Sequence, residues 1–296
     1  MKKFQVITDS TSDLEKKFRD EYDIEYLKMV FTIDNKDYDA DLDWTDITPE
    51  EYYGLMRKGN RSITGLVKTI EVEEKFKKSL DEGLDILYIA CSSKLSGSVN
   101  SAKNIAAELL KKYPDRKVIC YDSLRSCYAE GMMAIEASKR ANNGEDILDV
   151  VKYLDEYKLN YQTYATVATL DWLKKAGRVK ASAAFFGNLF SVKPIIVGDK
   201  DGNNYGYKKT KGRKASLDEL VDTVISRISK PYGMVMIEHA DCLRDANYIK
   251  EQIQAKNPEI KDFNISSVGP IIGATTGPDT IAVDFYGEKV TISSGE

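Results

Sequence analysis

The chain has 296 residues, a formal charge of −4 and a pI of about 5.4. That length admits one large domain or two with an ample core, and the acid excess argues against nucleic acid as a partner. Four cysteines without a C-x-x-C pair argue against a disulfide framework or a metal site and fit a reducing cytoplasm.

Phe4 to Thr8 reads as a strand, followed by a capping box at Ser12-Asp13-Leu14-Glu15 that opens a helix. The apolar run breaks at Thr8-Asp9, so it is no signal segment, and no stretch reaches the ~18 apolar residues of a membrane span. A cytoplasmic location is expected. Tyr26 to Ile33 reads as one strand. Thr48-Pro49-Glu50-Glu51 starts a helix with Thr48 as N-cap and Pro49 in the first helical position. Another helix spans about Glu71 to Leu80 and stops near Gly83. The apolar run Asp85 to Ala90 reads as a buried strand, and Val99 to Leu110 as an amphipathic helix. Lys117 to Tyr121 is a strand. Helices follow over about Ser126 to Ala141, with Gly144 in the C-terminal position, and Asp146 to Tyr157. This alternation predicts a mostly parallel α/β sheet.

The order changes near residue 160. Tyr161 to Val167 reads as a strand and Leu170 to Lys175 as a short helix. Lys193 to Val197 and Tyr205 to Lys209 form a β-hairpin across Lys200-Asp201-Gly202-Asn203. Ser216-Leu217-Asp218-Glu219 is a second capping box, opening a helix through Ile228. A strand over Gly233 to Ile237, a helix over Leu243 to Ala255 and a strand over Phe263 to Ser267 follow. The expectation is two domains: an N-terminal α/β domain, 1–160, and a C-terminal α+β domain, 161–296.

Between the Asp85–Ala90 strand and its helix lies Cys91-Ser92-Ser93-Lys94-Leu95-Ser96-Gly97-Ser98. Free N–H groups of a first helical turn, the helix dipole and serine hydroxyls together suit a small carboxylate or phosphate. No Gly-Lys-Ser/Thr pattern makes it a nucleotide loop. A serine here is equally an ordinary helix cap. Two further strand ends, Asp9-Ser10-Thr11-Ser12 and Asp122-Ser123, would share the same edge of a parallel sheet. Asp9 and Asp122 suit metal ligation or general-base chemistry, or simply turn and cap bonds. No second carboxylate cluster is visible to complete a metal site, so none is expected.

These segments, in this order, resemble the DegV family of fatty-acid-binding proteins over nearly the whole chain. The resemblance rests on Ile7-Thr8-Asp9-Ser10-Thr11-Ser12-Asp13-Leu14, the serine loop Leu95-Ser96-Gly97-Ser98 with Asn100-Ser101-Ala102, and Asp122-Ser123. It extends through Leu170 to Arg178, Val192-Lys193-Pro194-Ile195-Ile196 with Asp201-Gly202, and Gly269 to Ala274 with Thr276-Gly277-Pro278. It implies a two-domain fold with a lipid tunnel between the domains, holding a long-chain fatty acid such as palmitate. It also implies a non-catalytic, monomeric carrier that presents the carboxylate to a separate ATP-binding fatty acid kinase subunit, with transient contact at a membrane surface. No cofactor is implied.

By the same resemblance the carboxylate contacts fall on Thr64 and Ser96, with Ser93 and Ser62 as neighbouring donors. Gly65, Leu66 and Val67 replace the family's Ser-Gln-Pro after that Thr, and Thr275 stands where the family has a His. A threonine donates a hydrogen bond but cannot titrate near neutral pH. Ala181-Ser182-Ala183-Ala184-Phe185-Phe186-Gly187-Asn188-Leu189-Phe190 is the candidate tunnel wall. Arg178 and Arg213 are candidate docking cations for the kinase subunit or an anionic membrane, or solvated surface charge. Two rival readings stand beside the carrier. One is lipid transport or storage without a kinase. The other is an enzyme built on the Ser96 loop, whose base would have to be His239, the single histidine.

Overall fold

The computed structural model describes residues 2–182, 185 and 192–295. Most of the candidate wall segment at 181–190 therefore lies outside the described residues.

The first half runs β1 (Phe4–Asp9), α1 (Lys16–Tyr22), β2 (Ile24–Leu27), β3 (Val30–Ile33), β4 (Lys36–Asp39), α2 (Pro49–Arg57), β5 (Ile63–Gly65) and α3 (Thr69–Asp81). It continues with β6 (Asp85–Ala90), α4 (Ser98–Leu110), β7 (Val118–Asp122), α5 (Cys127–Asn142) and α6 (Ile147–Tyr157). Strands β2-β1-β6-β7 form one all-parallel sheet. The unbroken apolar run of β6 follows from cover on both faces. Ile86, Tyr88 and Ala90 pack with Phe76 of α3 and Ala102 of α4, while Leu87 and Ile89 pack with Met133 and Ala137 of α5. The carboxyl ends of β1, β6 and β7 consequently share one edge, as expected.

Two expectations change here. Ser12 opens no capping box. Residues Ser10–Ser12 form a 3-10 turn capped by Asp9, Asp13 takes a left-handed φ of 51°, and α1 begins only at Lys16. The Ser12 hydroxyl donates instead to the Asp9 carbonyl at 2.9 Å. The single strand expected over Tyr26 to Ile33 is broken at Lys28-Met29. Its first part closes the parallel sheet, and its second part joins a separate antiparallel sheet, β4-β3-β5. Ser10 secures the break, donating to the Ala40 carbonyl at 2.7 Å and accepting from the Met29 N–H at 3.0 Å.

The second half contains β8 (Tyr161–Thr166), α7 (Leu170–Ala176), β9 (Val179–Lys180), β10 (Val192–Gly198), β11 (Asn204–Lys211) and α8 (Arg213–Arg227). Then come β12 (Val235–His239), α9 (Leu243–Lys256), β13 (Phe263–Ser267), α10 (Pro270–Thr276) and β14 (Ile281–Tyr286). They build a seven-stranded mixed sheet in the order β13-β12-β14-β8-β10-β11-β9. Ser216 is another false cap: it lies inside α8, buried, with its hydroxyl on the Arg213 carbonyl. Three elements were not expected, the two-residue β9 being the first. The short α10 starts on Pro270 at its first position. The β14 strand pairs antiparallel with both β12 and β8 near the middle of the sheet.

The expected hairpin is present, and its turn reaches the first half. Gly202 has φ +88°, and a Cβ there would meet the Ser92 hydroxyl at 2.5 Å. Ser92 donates to the Gly202 carbonyl at 2.7 Å. The serine loop is thus tied to the second sheet. Among the described residues no helix is long and apolar enough to cross a membrane.

Candidate functional site

Where the carboxyl edge of the parallel sheet meets the mixed sheet lies a cavity of ≈ 260 Å³. Thr64 reaches it from β5, Ser96 from the loop before α4, and Thr275 from α10. These three sequence candidates, from distant parts of the chain, are brought together. Much of the remaining wall is apolar, including Leu66, Leu173, Val179, Ile196, Ile271 and Ala282. Arg178 is the one charged residue among the described wall residues.

The serine loop is held rather than free. Asp9 is its buried hub, accepting from the Thr11 N–H and hydroxyl, the Tyr88 hydroxyl and the Cys91 N–H. Asp122 accepts from the Ser93 and Leu124 N–H groups. Both aspartates therefore take the turn-and-cap role rather than a catalytic one. Ser96 accepts from the Ser98 N–H at 3.2 Å and shares a 3.0 Å contact with the Ser98 hydroxyl. It is both a cap and a donor that can rotate toward an anion.

Other candidates fall elsewhere. Ser93 and Ser62 do not line the cavity. Arg213 lies on α8, ion-paired with Asp245 at 2.7 Å, and is also off the cavity wall. Arg178 is exposed at the wall, with Nη1 on the Ala176 carbonyl. His239 does not assemble a triad with Ser96: it is absent from the cavity wall, and its Nδ1 accepts the Cys242 N–H at 3.3 Å. Burial holds its pKa below the ordinary value. Cys91 and Cys127 do line the cavity, but burial pushes both thiols well above their usual range, which makes them poor nucleophiles.

Directly behind this wall lies a group the linear reading missed. Asp13, Glu238 of β12 and Asp284 of β14 are buried together, with Glu238 within hydrogen-bond reach of both aspartates. A second carboxylate cluster therefore exists, contrary to expectation. Both Glu238 oxygens and Asp284 Oδ2 have no other partner among the described residues, and Asp13 otherwise has only the Gly269 N–H within reach. Burial raises Asp13 and Asp284 to about 7 and Glu238 well above the carboxylate range. At neutral pH the three acids thus retain and share protons. Asp13, Glu238 and the Cys127 thiol each place a ligand atom within 4.8 Å of the others, a spacing that could hold a metal ion. Thr163, on the cavity wall, donates to Asp284. No local motif joins these acids. Only the pairing of β12 with β14 and the left-handed turn at Asp13 do.

Chemically, the cavity wall offers an anion neutral hydroxyl groups, Thr64, Ser96 and Thr275 together with Thr11, Ser126, Thr163, Thr276 and Thr280, beside apolar surface and Arg178. Among the described residues this wall carries no carboxylate or histidine, and no nucleotide cradle. Comparison with known proteins agrees with this character. The family model described as "Uncharacterised protein, DegV family" matches residues 3–288. A DegV domain-containing protein of Clostridium perfringens is 37% identical over 289 residues, covering 97% of this chain and 99% of the relative. A DegV lipid-binding protein from Thermotoga maritima superposes with a TM-score of 0.80 at 25% identity, covering 98% of this chain and 100% of that one. DegV, a fatty-acid-binding protein from Bacillus subtilis, gives 0.79 at 25% identity, covering 97% and 100%.

Proposed function

The chain belongs to the DegV family, and from that premise we propose that it binds one long-chain fatty acid in the 260 Å³ cavity. The observation that carries this reading is the convergence of Thr64, Ser96 and Thr275 on a largely apolar cavity. In this reading the cavity lies between two units, residues 1–160 and 161–296. The three hydroxyls hold the carboxylate and the apolar wall takes the tail.

The energetics are uneven. Burying ~14 methylenes at about 0.8 kcal/mol each gives on the order of 11 kcal/mol before ordering costs. A hydrogen bond to a charged head adds roughly 1.5–3 kcal/mol. The tail supplies affinity, and the hydroxyls decide which end faces out. Thr275 supplies a neutral donor where the family resemblance implies a titratable His, so head-group contact here rests on the three hydroxyls without a cation from that position. Native mass spectrometry of the protein as purified is expected to find a long-chain fatty acid bound at one per chain. A protein that carries none, and that binds no added long-chain acid, would overturn the reading.

The finer role is that of the acyl-carrying subunit of a fatty acid kinase. The protein itself has no catalytic group and hands the carboxylate to a separate ATP-dependent partner in the cytoplasm. Arg178, exposed at the cavity wall, and Arg213 on α8 are the docking cations in this role. Charge reversal at both positions is expected to slow acyl phosphate formation in a reaction reconstituted with the kinase subunit. An unchanged rate would remove both from the docking surface.

A further inference from the structure

We infer that the cavity has a second recognition point, at Arg125, Ser126 and Gly198, for one oxygen carried on the acyl chain itself: a hydroxyl or keto group remote from the carboxylate. The inference deepens the fatty-acid reading and rests on it.

Arg125 is only 2% exposed. It follows the end of β7 and reaches across to the second half of the chain. Its Nε donates to the Lys158 carbonyl at 3.1 Å, and its Nη1 donates to the Leu124 and Asp199 carbonyls at 2.9 and 2.8 Å. Its Nη2 is buried and has no partner among the described residues. The nearby Asp199 carboxylate does not serve it. That group is occupied by the N–H groups of Asp201, Asn203 and Ser294 and by the Asn203 amide. Burial pulls the guanidinium pKa down to about 10, which still leaves it charged at neutral pH. A buried charged donor without an acceptor is costly, and the cost is recovered when an oxygen arrives.

The space beside it suits one oxygen. A void of ≈ 10 Å³ is lined by Arg125, Ser126, Thr163, Gly198 and Asn204, and the last four of these also line the main cavity. That is about the room one water or hydroxyl oxygen needs, and too little for a carboxylate. Ser126 is available as a second partner, since its hydroxyl has only the Cys127 thiol, at 3.8 Å. Gly198 thins the wall at this point. A Cβ placed there would stand 3.8 Å from Nη1, on the same guanidinium whose Nη2 lacks an acceptor, so the missing side chain leaves the wall thin beside that group. Thr64, Ser96 and Thr275 take no part in this void. It is a separate polar point on the same cavity.

The test compares saturated fatty acids of one length carrying a single hydroxyl at successive positions with the unsubstituted acid, by calorimetry on the full chain. One hydroxyl position is expected to bind roughly tenfold tighter than the parent, the gain of one hydrogen bond to a charged donor. In Gly198→Ala that ratio is expected to fall to about one. The added methyl makes only an ordinary van der Waals contact and needs no unusual backbone, so the variant folds. If the parent acid binds and no hydroxyl position improves on it, the void holds only water and this inference fails alone. If no acid binds at all, the fatty-acid reading fails and takes this inference with it.

Discussion

Glu238→Gln is expected to make the protein more stable than the wild type at about pH 8, and to lose less stability than the wild type between about pH 5 and pH 8, the share of the two aspartates remaining. The sign follows from proton retention. Asp13 and Asp284 titrate at 3.8 when unfolded and at about 7 when folded, because burial penalises their charged forms. Glu238 is raised well above 4.5 for the same reason, reinforced by the charges of Asp13 and Asp284. A raised folded pKa leaves stability complete below the unfolded value and erodes it as pH rises toward the folded value. Each aspartate moves by about three units, on the order of 4 kcal/mol at about 1.4 kcal/mol per unit.

The groups facing the cluster do not offset this. They are Cys127, Tyr53 and Tyr128, themselves raised by burial, Asp9, and Glu130, a buried acid raised in the same direction as the cluster. His239, depressed by burial, works in the opposite direction but only below its ordinary 6.5. Half-buried Glu71 adds a smaller loss of the same sign as the cluster. A neutral glutamine keeps an amide donor between the two aspartates and removes the acid whose ionisation costs most. Urea denaturation across this pH range measures the effect. A flat wild-type profile, or a variant that declines in parallel with the wild type, would sink the account.

Asp9→Ala is expected to destabilise the protein by roughly 3–5 kcal/mol, a fall of about ten degrees in Tm. One carboxylate accepts four hydrogen bonds: from the Thr11 N–H at 2.9 Å, the Thr11 hydroxyl at 2.6 Å, the Tyr88 hydroxyl at 2.7 Å and the Cys91 N–H at 3.2 Å. Asp9, Tyr88 and Cys91 are all buried, so truncation strands donors that water cannot reach. The damage falls on the ligand site as well, because Cys91 begins the loop that presents Ser96. Asp9→Asn keeps the volume but substitutes an NH₂ for an acceptor, and its loss should lie between alanine and wild type. Thermal melts of the three proteins decide the matter, and a loss below about 1 kcal/mol for alanine would show that the hub is dispensable.

Local chemistry was legible where the local partners were the real ones. Thr48 caps its helix as expected, and Glu51 completes a reciprocal cap, each side chain on the other's backbone N–H. Ser12 and Ser216 carry the same four-residue pattern and form no such cap. Both are fully buried, and each hydroxyl found a nearer carbonyl, Asp9 for Ser12 and Arg213 for Ser216. The break at Lys28-Met29 was hidden because β-propensity runs straight through it. It is made by Ser10, a residue from another strand end. The Ile281–Tyr286 strand has a local signature, a largely apolar run between Gly277-Pro278-Asp279 and Gly287, but its place between β12 and β8 has none.

The sequence by itself determined the alternation of strands and helices, the polar strand ends that would share one edge, and the ordered motifs that name the family. Each of these depends on hydrogen bonds and periodicities within a few residues. Only the tertiary structure decided that Thr64, Ser96 and Thr275 meet at one cavity while Ser93 and Arg213 stay away from it. It likewise gathered Asp13, Glu238 and Asp284 into one proton-sharing cluster and buried Arg125 with an unmet donor. These depend on strand pairing and burial between distant segments, and desolvation, which sets the charge of such groups, has no signature in a linear pattern.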